Sequence, residues 1–199
     1  MSMTLSVLMP VFATKILKGD SSTLGFLMAA SGAGALGGAL YLASRRSVLG
    51  LGIRIALAAI MYGVGLIAFS WSENLLLSMS ILFITGFSMM LEMAASNTLL
   101  QTIVDEDKRG RVMSFYTMAF LGMAPLGSLL AGIFADRLGT ANTIRLAGVL
   151  CICGGTFFAS KLPMLRRHVR PIYQRVGILP PGEPQGGDSG PIPDLSHDH

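Results

Sequence analysis

The sequence predicts an all-α integral membrane protein, and three observations carry that prediction. Of 199 residues, 52% are hydrophobic and only 13% are charged, against about 45–50% and about 25% in a soluble domain. Mean hydropathy is +0.62. The apolar residues come in long runs separated by short polar connections, and a membrane-crossing helix needs about 20 mainly apolar residues.

The elements follow in order. Residues 1–17 form a short first stretch, about 25 Å long if helical against a bilayer core of about 30 Å. Pro10 lies inside it and is expected to kink it. Lys15 and Lys18 follow this stretch rather than precede it, so it lacks the basic start of a cleaved signal peptide. It reads as a helix missing its beginning. Residues 22–43, 48–70, 75–103, 112–134 and 143–160 are five further spans. The connections between them are short, which makes sequential helices antiparallel neighbours. Six crossings then put both chain ends on one side. Residues 163–179 form a basic juxtamembrane segment, with Arg166, Arg167 and Arg170 suited to anionic headgroups. Residues 180–199 are rich in Pro, Gly and Asp, have little to bury, and are predicted to form a disordered tail.

Charge sets the expected topology. Residues 105–111 read DEDKRGR, six charged residues out of seven. Such a knot cannot sit in hydrocarbon and marks a water-exposed turn between the fourth and fifth spans. Arg45, Arg46, Lys108, Arg109, Arg111, Arg166, Arg167, Arg170 and Arg175 fall on one side, and Lys15, Lys18 and Arg137 on the other. Nine basic residues against three place the knot and the C-terminus in the cytoplasm of a cell whose inner membrane holds the chain. Trp71 then falls at the outer interface, where aromatic anchors are common. The net charge of +4 is spread over loops and the tail, so it reads as topology rather than as a nucleic-acid surface.

Few residues carry chemistry. Residues 32–37 match the dinucleotide pattern G-x-G-x-x-G. They lie in the middle of an apolar helix, without the strand that pattern requires. Ala30, Gly34 and Gly38 instead recur every four residues as a smooth packing stripe. Gly122, Pro125, Gly127 and Gly132 form a second small-residue surface, with Pro125 expected to bend its helix. That bend serves either packing or gating. Cys151 and Cys153, at i and i+2, point in different directions and read as buried thiols, not as a metal pair.

Glu92 is the single acidic residue deep in an apolar segment. Placing a charge there costs about 2.5–3.5 kcal/mol on insertion scales, so it is expected to face a cavity or a partner. A carboxyl reached by water at that depth can take up and release a proton, which makes Glu92 the candidate for proton or substrate coupling. Met89, Met93, Asn97 and Gln101 are the accompanying cavity-lining candidates: the methionines as adaptable apolar surface, the amides as a polar stripe or as helix glue. Arg54 and Arg145 lie near helix starts, can snorkel, and take no expected site role. No Ser/His/Asp set, no metal-spaced cluster and no phosphate loop in a credible context occurs. An enzyme is not expected, and neither a cofactor nor a metal is implied.

Several of these pieces resemble the major facilitator superfamily. Residues 97–101 (NTLLQ) and 109–116 (RGRVMSFY) resemble the junction between the tenth and eleventh helices of its exporters. Residues 125–132 (PLGSLLAG) and 135–139 (ADRLG) resemble the eleventh helix and its outer loop. Residues 8–13 (LMPVFA) and 25–30 (GFLMAA) resemble the seventh and eighth helices. The nearest resemblance is to drug and siderophore exporters of the enterobactin-exporter type, over residues 1–162.

The resemblance implies the C-terminal six-helix half of a twelve-helix fold, with its first helix truncated. In that family two halves rock around a central cavity in alternating access. The seventh and tenth helices line the cavity, so Glu92 falls on a cavity helix. The eighth and eleventh meet the other half, which gives Gly34, Gly38, Gly122, Pro125 and Gly127 an expected role in helix packing and gating. Arg45, Arg46, Arg109 and Arg111 act as cytoplasmic loop anchors. One departure is that residues 44–47 (SRRS) keep the basic pair of the family's loop motif but lack its acidic residue. The expected function is proton-coupled efflux of small lipophilic compounds or siderophores. The alternative is a non-transporting fragment, or a half that assembles with a separate partner or as a homodimer. The expected partners are the lipid bilayer, an N-terminal six-helix half or a second copy, and a small-molecule substrate.

Overall fold

The structure is a computed structural model that describes the backbone of residues 2–15, 20–45, 50–104 and 106–175, and the side chains of 8–14, 20–45, 50–104 and 106–164. It divides into two compact units, Met1–Pro163 and Met164–His199. Of the second, the described part is helical backbone up to Arg175. Arg46, Asp105 and the tail from residue 176 lie outside the described residues.

Six helices follow one another: α1 (Ser2–Lys15), α2 (Ser21–Ala43), α3 (Leu51–Ser70), α4 (Leu75–Ile103), α5 (Glu106–Leu138) and α6 (Thr140–Arg175). No strand occurs among the described residues. Five helices are long and apolar enough to cross a membrane: α2, α3, α4, α5 and the Thr140–Met164 part of α6. The 14 residues of α1 reach only about 21 Å at 1.5 Å per residue, and Pro10 lies inside this helix.

Local chemistry sets the helix starts. Asp20 caps α2 by accepting from the Thr23 amide, and Asn74 caps α4 by accepting from the Leu76 amide at 2.9 Å. Gly50 precedes α3 at φ +80°, a conformation that glycine adopts without strain.

Two connections are shorter than the sequence suggests. The charge knot was expected to be a turn, yet Glu106–Arg111 is the exposed beginning of α5. Two acids, Glu106 and Asp107, in the first turn face the positive end of the helix dipole, and Arg109 reaches back to Glu106 at 3.9 Å. The other connection, residues 136–142, shrinks to Gly139 at φ +86°. The Gly139 amide bonds the Ala135 carbonyl at 3.0 Å, and its own carbonyl accepts from Thr143 at 3.1 Å. Charged side chains at a helix end reach water, so polarity alone does not stop a helix. A glycine in the left-handed region does.

Within the first unit, α4 packs between α2 and α3. The α2–α4 contact is made by small residues. Gly34 lies so close to the Phe83 backbone, and Gly86 to that of Ser31, that neither position has room for a Cβ; one on Gly38 would stand 2.6 Å from the Phe87 carbonyl oxygen. Helix α3 packs in the same manner on α6, where a Cβ on Gly155 would lie 2.9 Å from Ile60 and 3.2 Å from the Ala56 carbonyl oxygen. Phe12 of α1 stacks on Phe69 of α3 with ring centroids 4.2 Å apart. Leu8, Phe12, Leu27, Tyr62, Leu66, Phe69, Leu82 and Ile144 share the main core, and Leu51, Ile55 and Ala95 a smaller one. Helix α5 packs on α1, and its Ala135 lies against the main core, but Ala131 is its sole buried residue among those described.

Candidate functional site

Helix α4 carries Glu92 about two thirds of the way along its length, half-buried, between the buried Leu91 and Ala95. Antiparallel packing brings Thr85 against Gly65, and Ile55 into one cluster with Ala95. Glu92 lies between these two contacts, on the side of α4 that Met89 also uses to pack on the main core. Three other helices carry titratable side chains within electrostatic range of it. Tyr62 of α3, Tyr116 of α5 and Cys151 of α6 each interact electrostatically with the Glu92 carboxyl. A Cβ on Gly63 would stand 3.1 Å from the Cys151 Cβ, so α3 and α6 meet beside Tyr62. Tyr62 is buried and its hydroxyl oxygen has no hydrogen-bond partner. Among the described residues Glu92 makes no hydrogen bond and no ion pair.

The remaining cavity candidates divide between two sides of α4. Gln101 donates from its amide to the Asn97 carbonyl oxygen at 3.0 Å, and Met93, exposed, stands one turn before Asn97. Glu92 is five residues from Asn97, about 140° around a helix of 3.6 residues per turn. The amide pair and the carboxyl therefore do not form one stripe.

Gly34 and Gly38 are buried against α4, inside this bundle. On α5 the picture reverses. A Cβ at Gly122 or Gly127 would meet nothing within 4 Å, Pro125 is exposed in a continuous helix, and Ser128 bonds the Pro125 carbonyl at 2.9 Å. Of the loop anchors, Arg45 bonds the Tyr41 hydroxyl at 3.0 Å and lies over its ring at 5.3 Å. Arg109 makes the ion pair with Glu106, and Arg111 is exposed. Among the described residues, no group of three or more His, Cys, Asp or Glu is placed to hold a metal ion.

The profile of the transmembrane secretion effector family matches residues 1–173. The chain belongs to that family, a branch of the major facilitator superfamily. It is thus a multi-pass membrane protein of a transporter class, and its helices form an all-α half of the major facilitator fold. It is also similar to the staphyloferrin A transporter of Staphylococcus aureus (strain NCTC 8325 / PS 47), with 28% identity over 148 residues. That match covers 74% of this chain and 37% of the relative, so the chain spans well under half the relative's length. No solved structure matches it significantly.

In this family member two residues prove more involved than their sequence setting suggests. Arg145 was read as a snorkelling side chain. Its Nε bonds the Ser70 hydroxyl at 3.1 Å, its Nη1 bonds Asn142 at 3.1 Å, and its guanidinium lies over Trp71 at 5.4 Å. Arg54, read in the same way, has a buried Nη1 without a hydrogen-bond partner. Tyr62 was passed over. A lone tyrosine in an apolar span is a signal, because a buried phenol needs a partner.

Proposed function

We propose that this chain is the C-terminal six-helix half of a proton-coupled exporter of small lipophilic compounds or siderophores. It works by alternating access in a bacterial inner membrane, with the charge knot and the C-terminus in the cytoplasm. The observation that carries this reading is Glu92, a half-buried acidic side chain deep within a membrane helix. An ionisable residue at such depth marks an ion or substrate path. The loop charge imbalance supports the orientation, and the relative named as a staphyloferrin A transporter supports the substrate class.

In this reading Glu92 takes up a proton from one side and releases it to the other as the two halves rock. Tyr116, half-buried on α5, stands at the edge of its surroundings. The bare face of α5, with Gly122, Pro125 and Gly127, receives the other six-helix half. The basic residues Arg45, Arg46, Arg109 and Arg111 hold the cytoplasmic ends at the headgroups.

The test is Glu92→Gln in the complete transporter. Efflux driven by a proton gradient is expected to be abolished while the protein still reaches the membrane. Efflux that keeps both its rate and its pH dependence overturns the reading.

A further inference from the structure

Arg145 stands where the end of α3 meets the beginning of α6. Its Nε donates to the Ser70 hydroxyl at 3.1 Å, its Nη1 donates to the Asn142 side-chain oxygen at 3.1 Å, and its guanidinium lies 5.4 Å from the centre of the Trp71 ring. Ser70 is buried at the last turn of α3. Contacts on both helices therefore fix the guanidinium, yet all three are with neutral groups and none cancels its charge. Glu73, two residues beyond Trp71, is exposed and makes no ion pair with Arg145. A guanidinium has further N–H donors beyond the two in use, and the half-buried Arg145 keeps part of its surface open.

The helix surface leading to this group points to what it binds. Ile53, Leu57, Met61, Val64 and Trp71 recur at helical spacing on one face of α3 and are all between 43% and 67% exposed. From Ile53 to Trp71 the helix rises about 27 Å at 1.5 Å per residue, close to the roughly 30 Å of a bilayer core. An open apolar face of that length is covered by acyl chains. It puts Trp71 and Arg145 at the level of the headgroups, where tryptophan anchors concentrate. On α6, Val149 stands one turn from Arg145 and is 48% exposed, so the apolar surface continues beside the guanidinium. We propose that Arg145 and Trp71 form a phospholipid site. The guanidinium holds the lipid phosphate through charge-assisted N–H bonds, for which its planar fork is matched, and an acyl chain runs along Trp71, Val64 and Met61. The acyl surface makes the ligand a lipid rather than a free anion. The site does not depend on the coupling role of Glu92.

Trp71 is the sole tryptophan, and a brominated acyl chain quenches tryptophan fluorescence on contact. The 199-residue chain is placed in bilayers that mix a glycosyl diacylglycerol, which has no phosphate, with phosphatidylglycerol. In one series the phosphatidylglycerol carries the bromine, in the other the glycolipid does. Brominated phosphatidylglycerol is expected to reach half-maximal quenching at about one third of the mole fraction that the brominated glycolipid needs, the effect of an interfacial charge pair. Ser70→Ala, which keeps the guanidinium, is expected to retain that preference, and Arg145→Ala to lose it. Both lipids are read at one probe position, so any shift of Trp71 in a variant cancels in the ratio. Equal curves for the two lipids in the parent chain overturn the proposal without any variant. A preference that persists in Arg145→Ala overturns it too, because the phosphate is then held elsewhere.

Discussion

Gly63 of α3 and Gly148 of α6 face each other's backbone. A Cβ on Gly63 would stand 2.6 Å from the Gly148 carbonyl oxygen, and one on Gly148 would stand 2.7 Å from that of Gly63. Each glycine is the room the other needs. With no hydrophobic drive between helices in lipid, such close backbone approach is a main source of association.

This reciprocity predicts the effect of one methyl group. Gly63→Ala and Gly148→Ala each force the helices apart and should destabilise the bundle by about 1–3 kcal/mol, as overpacking does. Gly25→Ala is the control, because a Cβ there would meet nothing within 4 Å. It should be neutral or stabilising by up to about 1 kcal/mol through helix propensity. Denaturant titration in detergent micelles, followed by circular dichroism, separates the two outcomes.

Arg145 ties α6 to the end of α3 through Ser70 and Trp71. Arg145→Ala removes a charged hydrogen bond and a cation–π contact, together about 1–3 kcal/mol. Trp71 is the sole tryptophan, so its fluorescence reports the loss directly. Its emission should shift in Arg145→Ala and stay close to the parent in Ser70→Ala, which keeps the guanidinium over the ring. Identical spectra for parent and Arg145→Ala would refute the contact.

The cap of α2 is pH-sensitive. The Ser22 hydroxyl bonds the Asp20 carboxylate at 2.6 Å, the Thr23 amide donates to it at 3.2 Å, and these bonds hold its pKa below the usual aspartate value. A carboxylate with a lowered folded pKa contributes its stability above the unfolded pKa and loses it as pH falls through the folded one. The first-turn amides of α2 should therefore exchange faster with solvent below the carboxylate range, after correction for intrinsic rates. Asp20→Asn should flatten that dependence. A pH-independent protection in the parent chain would count against the cap.

The bare face of α5 is the expected contact for the other half. Leu121 and Leu126 are 60% and 55% exposed there. With Cys151 and Cys153 replaced by serine, Leu121→Cys should crosslink to the other six-helix half in the complete transporter. A crosslinked homodimer formed instead by this chain in membranes would favour a second copy on that face. Leu27→Cys is the contrast, because that side chain is fully buried in the main core.

The sequence by itself determined that the chain is a bundle of membrane helices, and much of where they run. Residues 75–103 were expected as a span and are α4; residues 22–43 differ from α2 by one residue. Hydropathy and caps are local properties, so they are written in consecutive residues. The charge knot shows the limit of local reading, since a polar run is compatible with a turn or with a helix end projecting into water. Only the tertiary structure decided which faces meet. Gly34 finds α4, Gly63 finds Gly148, and Arg145 finds Ser70 across 75 residues. These contacts depend on how each helix is rotated and which neighbour it takes. That choice is made by the fit of small residues against backbone, a property of two surfaces together and of neither stretch of sequence alone.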